Sequence, residues 1–379
     1  MSERKLSAWV AAGLIDEASA ARIRDYESAH SRPLALWSLI GIGALAIGLG
    51  LISIVAANWD DIPGLVRLSV HMLLMAALAA YIYFTLPSQT NDYFSDAQIF
   101  VLGSLGLTFL GHLGQVYQTR SPLWQPLALW MILFSPVMLL MGRGWPVALM
   151  WVTGLIGTTL AHIDYSVDLI PRNTLSVAYR ALIISPPIIA VVMATYVRVQ
   201  HQRPDFWRRV VQLSLSCIIG GTSIATIAGT SALVQYGSTN QSDVSVGLIQ
   251  SLLLFVGAGV ICAMQRSAAT MIAAHLLAIS GVILVGVAFI GQSDIAAAIL
   301  FMLLWSGVAA SALMAGVRWL FQVAIGFIAL RLIVLSFELA NDLLGSGIGL
   351  ILVGIFTLGI AWGALTISRR FAPKIEVTL

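Results

Sequence analysis

Charge is scarce in this chain. Asp, Glu, Lys and Arg make up 10% of its 379 residues, against about 25% in a typical soluble domain, while 59% are hydrophobic. A water-facing surface cannot be built from that composition, which excludes a soluble enzyme, a disordered chain and a nucleic-acid binder. Cysteine is scarce too: Cys217 and Cys262 both lie inside apolar runs, and two thiols supply neither a disulfide framework nor a metal-ligand set. No phosphate-binding glycine loop, HExxH, CxxC or GxSxG occurs, and isolated Ser, His and Asp residues make no triad, so no cofactor, metal or catalytic site is read from the sequence. A short basic leader with an apolar stretch and cleavage site is also lacking; about 28 polar or mixed residues follow Met1-Ser2-Glu3-Arg4-Lys5, and no cleaved segment is expected.

What is present is apolar length. With a mean hydropathy of +0.92, the chain repeats runs long enough for a helix to cross a hydrocarbon core of about 30 Å, which takes about 20 residues. The spacing predicts an all-α, polytopic bundle of about twelve spans: Leu34 to Ala57, Gly64 to Leu86, Ala97 to Gln118, Leu123 to Gly142, Gly144 to Ile163, Arg180 to Val197, Val210 to Gln235, Val244 to Met264, Ala269 to Ile290, Ile295 to Ala315, Arg318 to Glu338 and Ser346 to Ile367. Only Arg143 and Gly144 separate the fourth from the fifth. Pro186 and Pro187 are expected to kink the sixth.

The net charge of +3 and pI near 9.0 follow from topology rather than from an acidic partner. Placing the amino terminus in the cytoplasm puts about fifteen Lys and Arg inside and about four outside (Arg67, Arg120, Arg172 and Arg180), so both termini are expected inside. The basic loop from Arg198 to Arg209 divides the membrane region, 33–379, into possible halves 33–200 and 201–379, without an internal repeat or a major-facilitator signature between them.

Residues 1–32 read as a cytoplasmic helical hairpin. Leu6, Trp9 and Val10 form one apolar face, Gly13 breaks it, and Asp16 caps a second helix carrying Ile23 and Tyr26. So narrow a stripe makes no core of its own. It packs on the membrane domain, lies on lipid or binds a partner.

Polar residues inside spans are costly, so they point to function. Ser104, Thr108, His112 and Gln115 recur at spacings of four, four and three, one helix face that is expected to look into the bundle and to continue into Tyr117 and Gln118. Arg331 is the one charge deep within a span, about 20 Å from its inner end. Glu338 lies two turns on along the same face with Asn341 and Asp342 beyond, and Asp60 or Asp61 offers an alternative counter-charge. The first outer loop holds Asn58, Trp59, Asp60 and Asp61, with Trp59 at interfacial depth. His71 and His162 fall in outer halves and His275 in an inner half; no carboxylate sits near a span centre, which disfavours a carboxylate proton relay. Small residues spaced by four (Gly221, Ala225, Gly229; Gly345, Gly349; Gly359, Gly363) are expected to mark close helix packing.

Trp9-x3-Gly13-Leu14-Ile15 followed by Ile23 and Tyr26, Asn58-Trp59 with Pro63 and Arg67, and Gly114-Gln115-Val116-Tyr117-Gln118 occur in this order. Together they resemble the bacterial predicted membrane proteins catalogued as domain of unknown function 2157, over about the first 150 residues. The resemblance implies a multi-pass protein of the bacterial inner membrane and brings no established activity.

Three functions remain. The first is a transporter or channel-like permease for a small polar or anionic solute, with Thr108, His112, Gln115, Tyr117, Gln118, Arg331 and Glu338 lining an outward cavity. The second is a sensor or scaffold whose head, through Leu6, Trp9, Ile23 and Tyr26, binds a cytoplasmic protein, while the buried polar residues only set helix register; the partner in either reading is such a protein or a second copy in a homo-oligomer. A membrane enzyme using Asp164 and Asp168 comes last, for want of a nucleophile or metal motif.

Overall fold

The structure, a computed structural model, describes residues 6, 9–30, 46, 62–85, 92–167, 177, 181–182, 184–200, 204–228, 241–264, 268–289, 293–339 and 347–371. Apart from turns and short connections these residues are helical, with no strand among them. In chain order the helices are α1 (Glu17–His30), α2 (Gly64–Thr85), α3 (Asp92–Tyr117), α4 (Trp124–Met141), α5 (Trp145–Val167), α6 (Ser185–Gln200), α7 (Pro204–Ala228), α8 (Gln241–Met264), α9 (Ala268–Phe289), α10 (Asp294–Met314), α11 (Arg318–Leu339) and α12 (Gly347–Phe371).

Among the described residues, nine helices are long and apolar enough to cross a membrane: α2 to α5 and α7 to α11. They coincide with nine of the expected spans. The first expected span lies outside the described residues apart from Ala46; α6 has 16 residues, and the apolar part of α12 counted on the same basis is the shorter stretch Val353–Ser368. Backbone groups in hydrocarbon must be satisfied within the segment, and helices do this. Hydroxyls do the same by donating to the carbonyl one turn back, as Thr158 does to Gly154 at 2.7 Å and Thr222 to Ile218 at 2.8 Å.

The chain falls into two units, Met1–Arg67 and Leu68–Leu379. In the first, Gly13 adopts φ +68°; its N–H donates to Val10 O at 3.0 Å and that of Leu14 to Trp9 O at 3.0 Å. These paired bonds close a helical turn at a left-handed residue, a conformation glycine adopts without strain. Asp16 Oδ1 then accepts from Ser19 N–H at 3.0 Å, capping α1.

In the second unit α7 is the hub, packing against α5, α6, α9 and α10; α3 packs on α4 and α5, and α11 on α10 and α12. The core runs through Phe206, Val210, Leu254, Leu277, Leu304 and Val308, all buried. Close approach occurs at glycines the spacing rule does not single out. A Cβ on Gly106 would stand 2.1 Å from the Phe134 ring, and one on Gly154 2.4 Å from Trp130. Gly221, Gly359 and Gly363, expected at tight contacts, have nothing within 4 Å of that position, while Gly229 and Gly345 lie outside the described residues. Their spacing is compatible with packing but does not supply a neighbour.

The sixth expected span is interrupted next to its prolines: Ala181 and Leu182 are helical, Ile184 is a turn, and α6 begins at Ser185. Pro186 and Pro187 stand in the first turn of α6, where their missing N–H groups break no helical bond. An interior proline occurs instead at Pro136 in α4.

Candidate functional site: a buried arginine and a histidine pair

The separation of α4 from α5, which rests on two residues in the sequence, is held from a third helix. Asp96, 1% exposed in the first turns of α3, accepts from Arg143 N–H at 2.8 Å (Oδ1) and Gly144 N–H at 2.7 Å (Oδ2). A carboxylate at the start of α5 satisfies free donors there and opposes the positive end of the helix dipole. Beside it, Ser95 and Gln98 are buried, and neither the Ser95 hydroxyl nor the Gln98 amide has a partner among the described residues. The cluster Ser95, Asp96, Gln98 was not singled out from sequence. Its signal, three polar residues within four positions at the mouth of a span, reads equally well as a loop end.

The buried side of α3 carries Ile99, Leu102, Gly103 and Gly106, with Trp130 Nε1 donating to Gly103 O at 2.8 Å. At 100° per residue, Ser104, Thr108, His112 and Gln115 fall on the opposite side. The stripe therefore turns away from α4 and α5; Thr108 and Gln115 are exposed, Ser104 and His112 half-buried. The reason is steric. The glycines and Ile99 admit the rings and methionines of α4 and α5, and a bulky polar face does not.

That polar side meets α2. His71, 8% exposed, places Nε2 2.9 Å from Leu105 O and Nδ1 3.0 Å from His112 Nδ1, with Thr108 Oγ1 at 3.5 Å from Nε2. A carbonyl only accepts, so His71 Nε2 carries a proton. In the neutral pair His71 Nδ1 is then the acceptor and His112 Nδ1 the donor. Gln115, Tyr117 and Gln118 are exposed. Gln118 has φ +50°, and Thr119 N–H beyond it donates to Gly114 O at 3.1 Å, so this residue closes α3 through its backbone.

Arg331 is 6% exposed, and its Nη1 donates to Glu338 Oε1 at 2.9 Å, the pairing across two turns that the sequence allows. Glu338 is 35% exposed. Arg331 Nε is buried without an acceptor among the described residues. Both residues line a cavity of about 620 Å³ between α7, α10 and α11, walled by residues including Ile219, Ile224, Phe301, Trp305, Phe327 and Leu330. No α3 residue lines it, so the expected set divides into two places: Thr108 and His112 with His71, and Arg331 with Glu338. A third histidine, His275, bonds Ser311 Oγ at 2.9 Å.

Of the head residues, Leu6 is buried, Trp9 is 38% exposed and Ile23 is half-buried; Tyr26 lies on α1. Asn58, Trp59, Asp60, Asp61, Asn341 and Asp342 lie outside the described residues. Cys217 and Cys262 are free thiols. No group of three or more His, Cys, Asp or Glu able to hold a metal occurs among the described residues.

The segment that carries Asp96 and the histidine pair is also the segment with relatives. Residues 7–147 match the family described as Predicted membrane protein (DUF2157). No curated protein and no solved structure matches. The DUF2157 match extends to the start of α5 and agrees with the stretch that the sequence motifs mark out. This is a multi-pass membrane protein embedded in a lipid bilayer. The Arg331 cavity lies wholly outside the DUF2157 segment.

Proposed function

We propose that this protein transports or admits a small polar or anionic solute across the bacterial inner membrane, with Arg331 as its recognition group. In this reading about twelve spans cross the bilayer, both termini are cytoplasmic, and the Glu338 end of the cavity faces out, as the distribution of Lys and Arg favours.

The carrying observation is the buried guanidinium on the wall of a 620 Å³ cavity, with Nε unpaired. A charge at mid-helix costs roughly 2.5–3.5 kcal/mol on insertion scales, and such residues face interiors that use them. Glu338 neutralises Nη1 but is itself partly exposed, so a solute carboxylate can take its place while Glu338 turns to water. In the alternative reading, in which the head binds a cytoplasmic partner, Trp9, at 38% exposed, is presented for contact while Leu6, at 2%, is not.

The test is uptake and thermal stabilisation with acetate, lactate, phosphate and glutamate in proteoliposomes, comparing wild type with Arg331→Gln. A charge-assisted hydrogen bond is worth about 1.5–3 kcal/mol, so Arg331→Gln should weaken the effective solute roughly ten- to hundredfold. Equal behaviour of the two proteins toward every solute that binds would overturn the reading.

A further inference from the structure

The proposed recognition by Arg331 leaves open what surrounds the solute's charge, and the walls of the cavity answer it. Lining residues on α11 run from Trp319 to Glu338, nineteen residues apart, or about 28 Å at 1.5 Å per residue. The space is a long groove rather than a compact cell. Trp305 and Phe327 stack on its wall with ring centroids 4.3 Å apart.

The polar groups in it are nearly all engaged. Ser216 donates its hydroxyl proton to Gln212 O at 2.8 Å and Ser223 donates to Ile219 O at 2.8 Å. Trp305 Nε1 donates to Ser223 Oγ at 3.2 Å. Among the described residues, Arg331 Nε is the one buried donor of the groove-lining side chains left without an acceptor. A sugar or polyanion would bring several acceptors and hydroxyls to a wall that is apolar over most of its length, leaving those away from the guanidinium desolvated and unpaired. A molecule with one acceptor head and an apolar body meets one donor and a long apolar wall.

We propose that the groove between α7, α10 and α11 binds a long-chain monocarboxylate, its carboxylate on Arg331 and its chain along α11. This rests on the reading of Arg331 as the recognition group and names its substrate class. The carboxylate takes the place of Glu338 at the guanidinium, and Glu338, 35% exposed, turns to water, which solvates its charge. The chain lies over Phe327 and Ile224, beside Gly220. A Cβ on Gly220 would meet nothing within 4 Å, which makes this residue the place to fill the groove without straining the helix.

The experiment uses full-length protein in nanodiscs and the quenching of tryptophan fluorescence by 9,10-dibromostearate, since Trp305 and Trp319 line the groove. Saturable quenching is expected in wild type, smaller in Trp305→Phe. Apparent affinity should fall at least roughly tenfold in Arg331→Gln, which loses the head contact, and in Gly220→Phe, which blocks the chain. Size-exclusion profiles and circular dichroism establish that each variant is folded, and Gly220→Phe keeps the proposal testable if Arg331→Gln does not fold. Acetate binding that depends on Arg331 and survives Gly220→Phe, with no saturable dibromostearate quenching, overturns this inference and leaves the proposed function standing. Independence from Arg331 of both long and short carboxylates overturns both. Equal quenching by a dibrominated phosphatidylcholine identifies a glycerolipid as the occupant and overturns the free carboxylate.

Discussion

Removing the Asp96 carboxylate tests whether one buried side chain sets the turn between α4 and α5. Asp96→Ala leaves the N–H groups of Arg143 and Gly144, now held at 2.8 and 2.7 Å, without their acceptor. Each such donor costs about 1–3 kcal/mol. Since these two are partly buried, the lower part of that range applies, and the expected loss is about 2–4 kcal/mol. Asp96→Asn keeps one acceptor oxygen and turns the other into a donor facing a donor, so it recovers no more than about half. The neighbour provides an internal control. A Cβ at Gly144 would lie 3.0 Å from Asp96 Oδ2, so Gly144→Ala must displace the carboxylate in the wild-type background and meets no such obstacle in Asp96→Ala. The coupling should be at least about 0.5 kcal/mol, as for residues in direct contact. The assay is equilibrium unfolding in mixed micelles with increasing sodium dodecyl sulfate, read by tryptophan fluorescence. A loss below about 1 kcal/mol for Asp96→Ala, or an equal cost of Gly144→Ala in both backgrounds, would refute the assignment.

Two further outcomes follow from hydrogen-bond direction. Nitrogen-15 spectra should find the neutral His71 ring protonated at Nε2 and His112 at Nδ1, because Leu105 O can only accept; a bare Nε2 on His71 would remove the basis for that proton arrangement. In the head, the hydroxyl of Ser19, and then its backbone N–H, hold the Asp16 carboxyl below its ordinary value of 3.8. A depressed folded value means that the cap stabilises α1 above the unfolded value and is lost as pH falls through the folded one. Amide exchange at Ser19, corrected for intrinsic rates, should therefore accelerate on acidification below about pH 4 and be fast at every pH in Asp16→Ala; a pH-independent protection factor in wild type would contradict this.

The features legible in the sequence are those that live within one helix. Apolar windows of about 20 residues have a transfer free energy that needs no knowledge of neighbours, so nine expected spans reappear as helices. The pairing of Arg331 with Glu338 follows from seven residues being two turns, and the Asp16 cap and Gly13 stop are local backbone chemistry. Periodicity placed Ser104, Thr108, His112 and Gln115 on one face, expected to look into the bundle, without saying which helix that face meets. Its direction was decided by Phe134, Trp130, Met138 and Met150 filling the glycine side of α3. Only the tertiary structure brought His71 to His112, 41 residues away, Asp96 to Gly144, 48 away, and Ser223 to Trp305, 82 away. In a bilayer the lipid chains are as apolar as the helix surfaces, so hydrophobicity determines that a helix is inserted, while close packing and buried hydrogen bonds determine which helices touch.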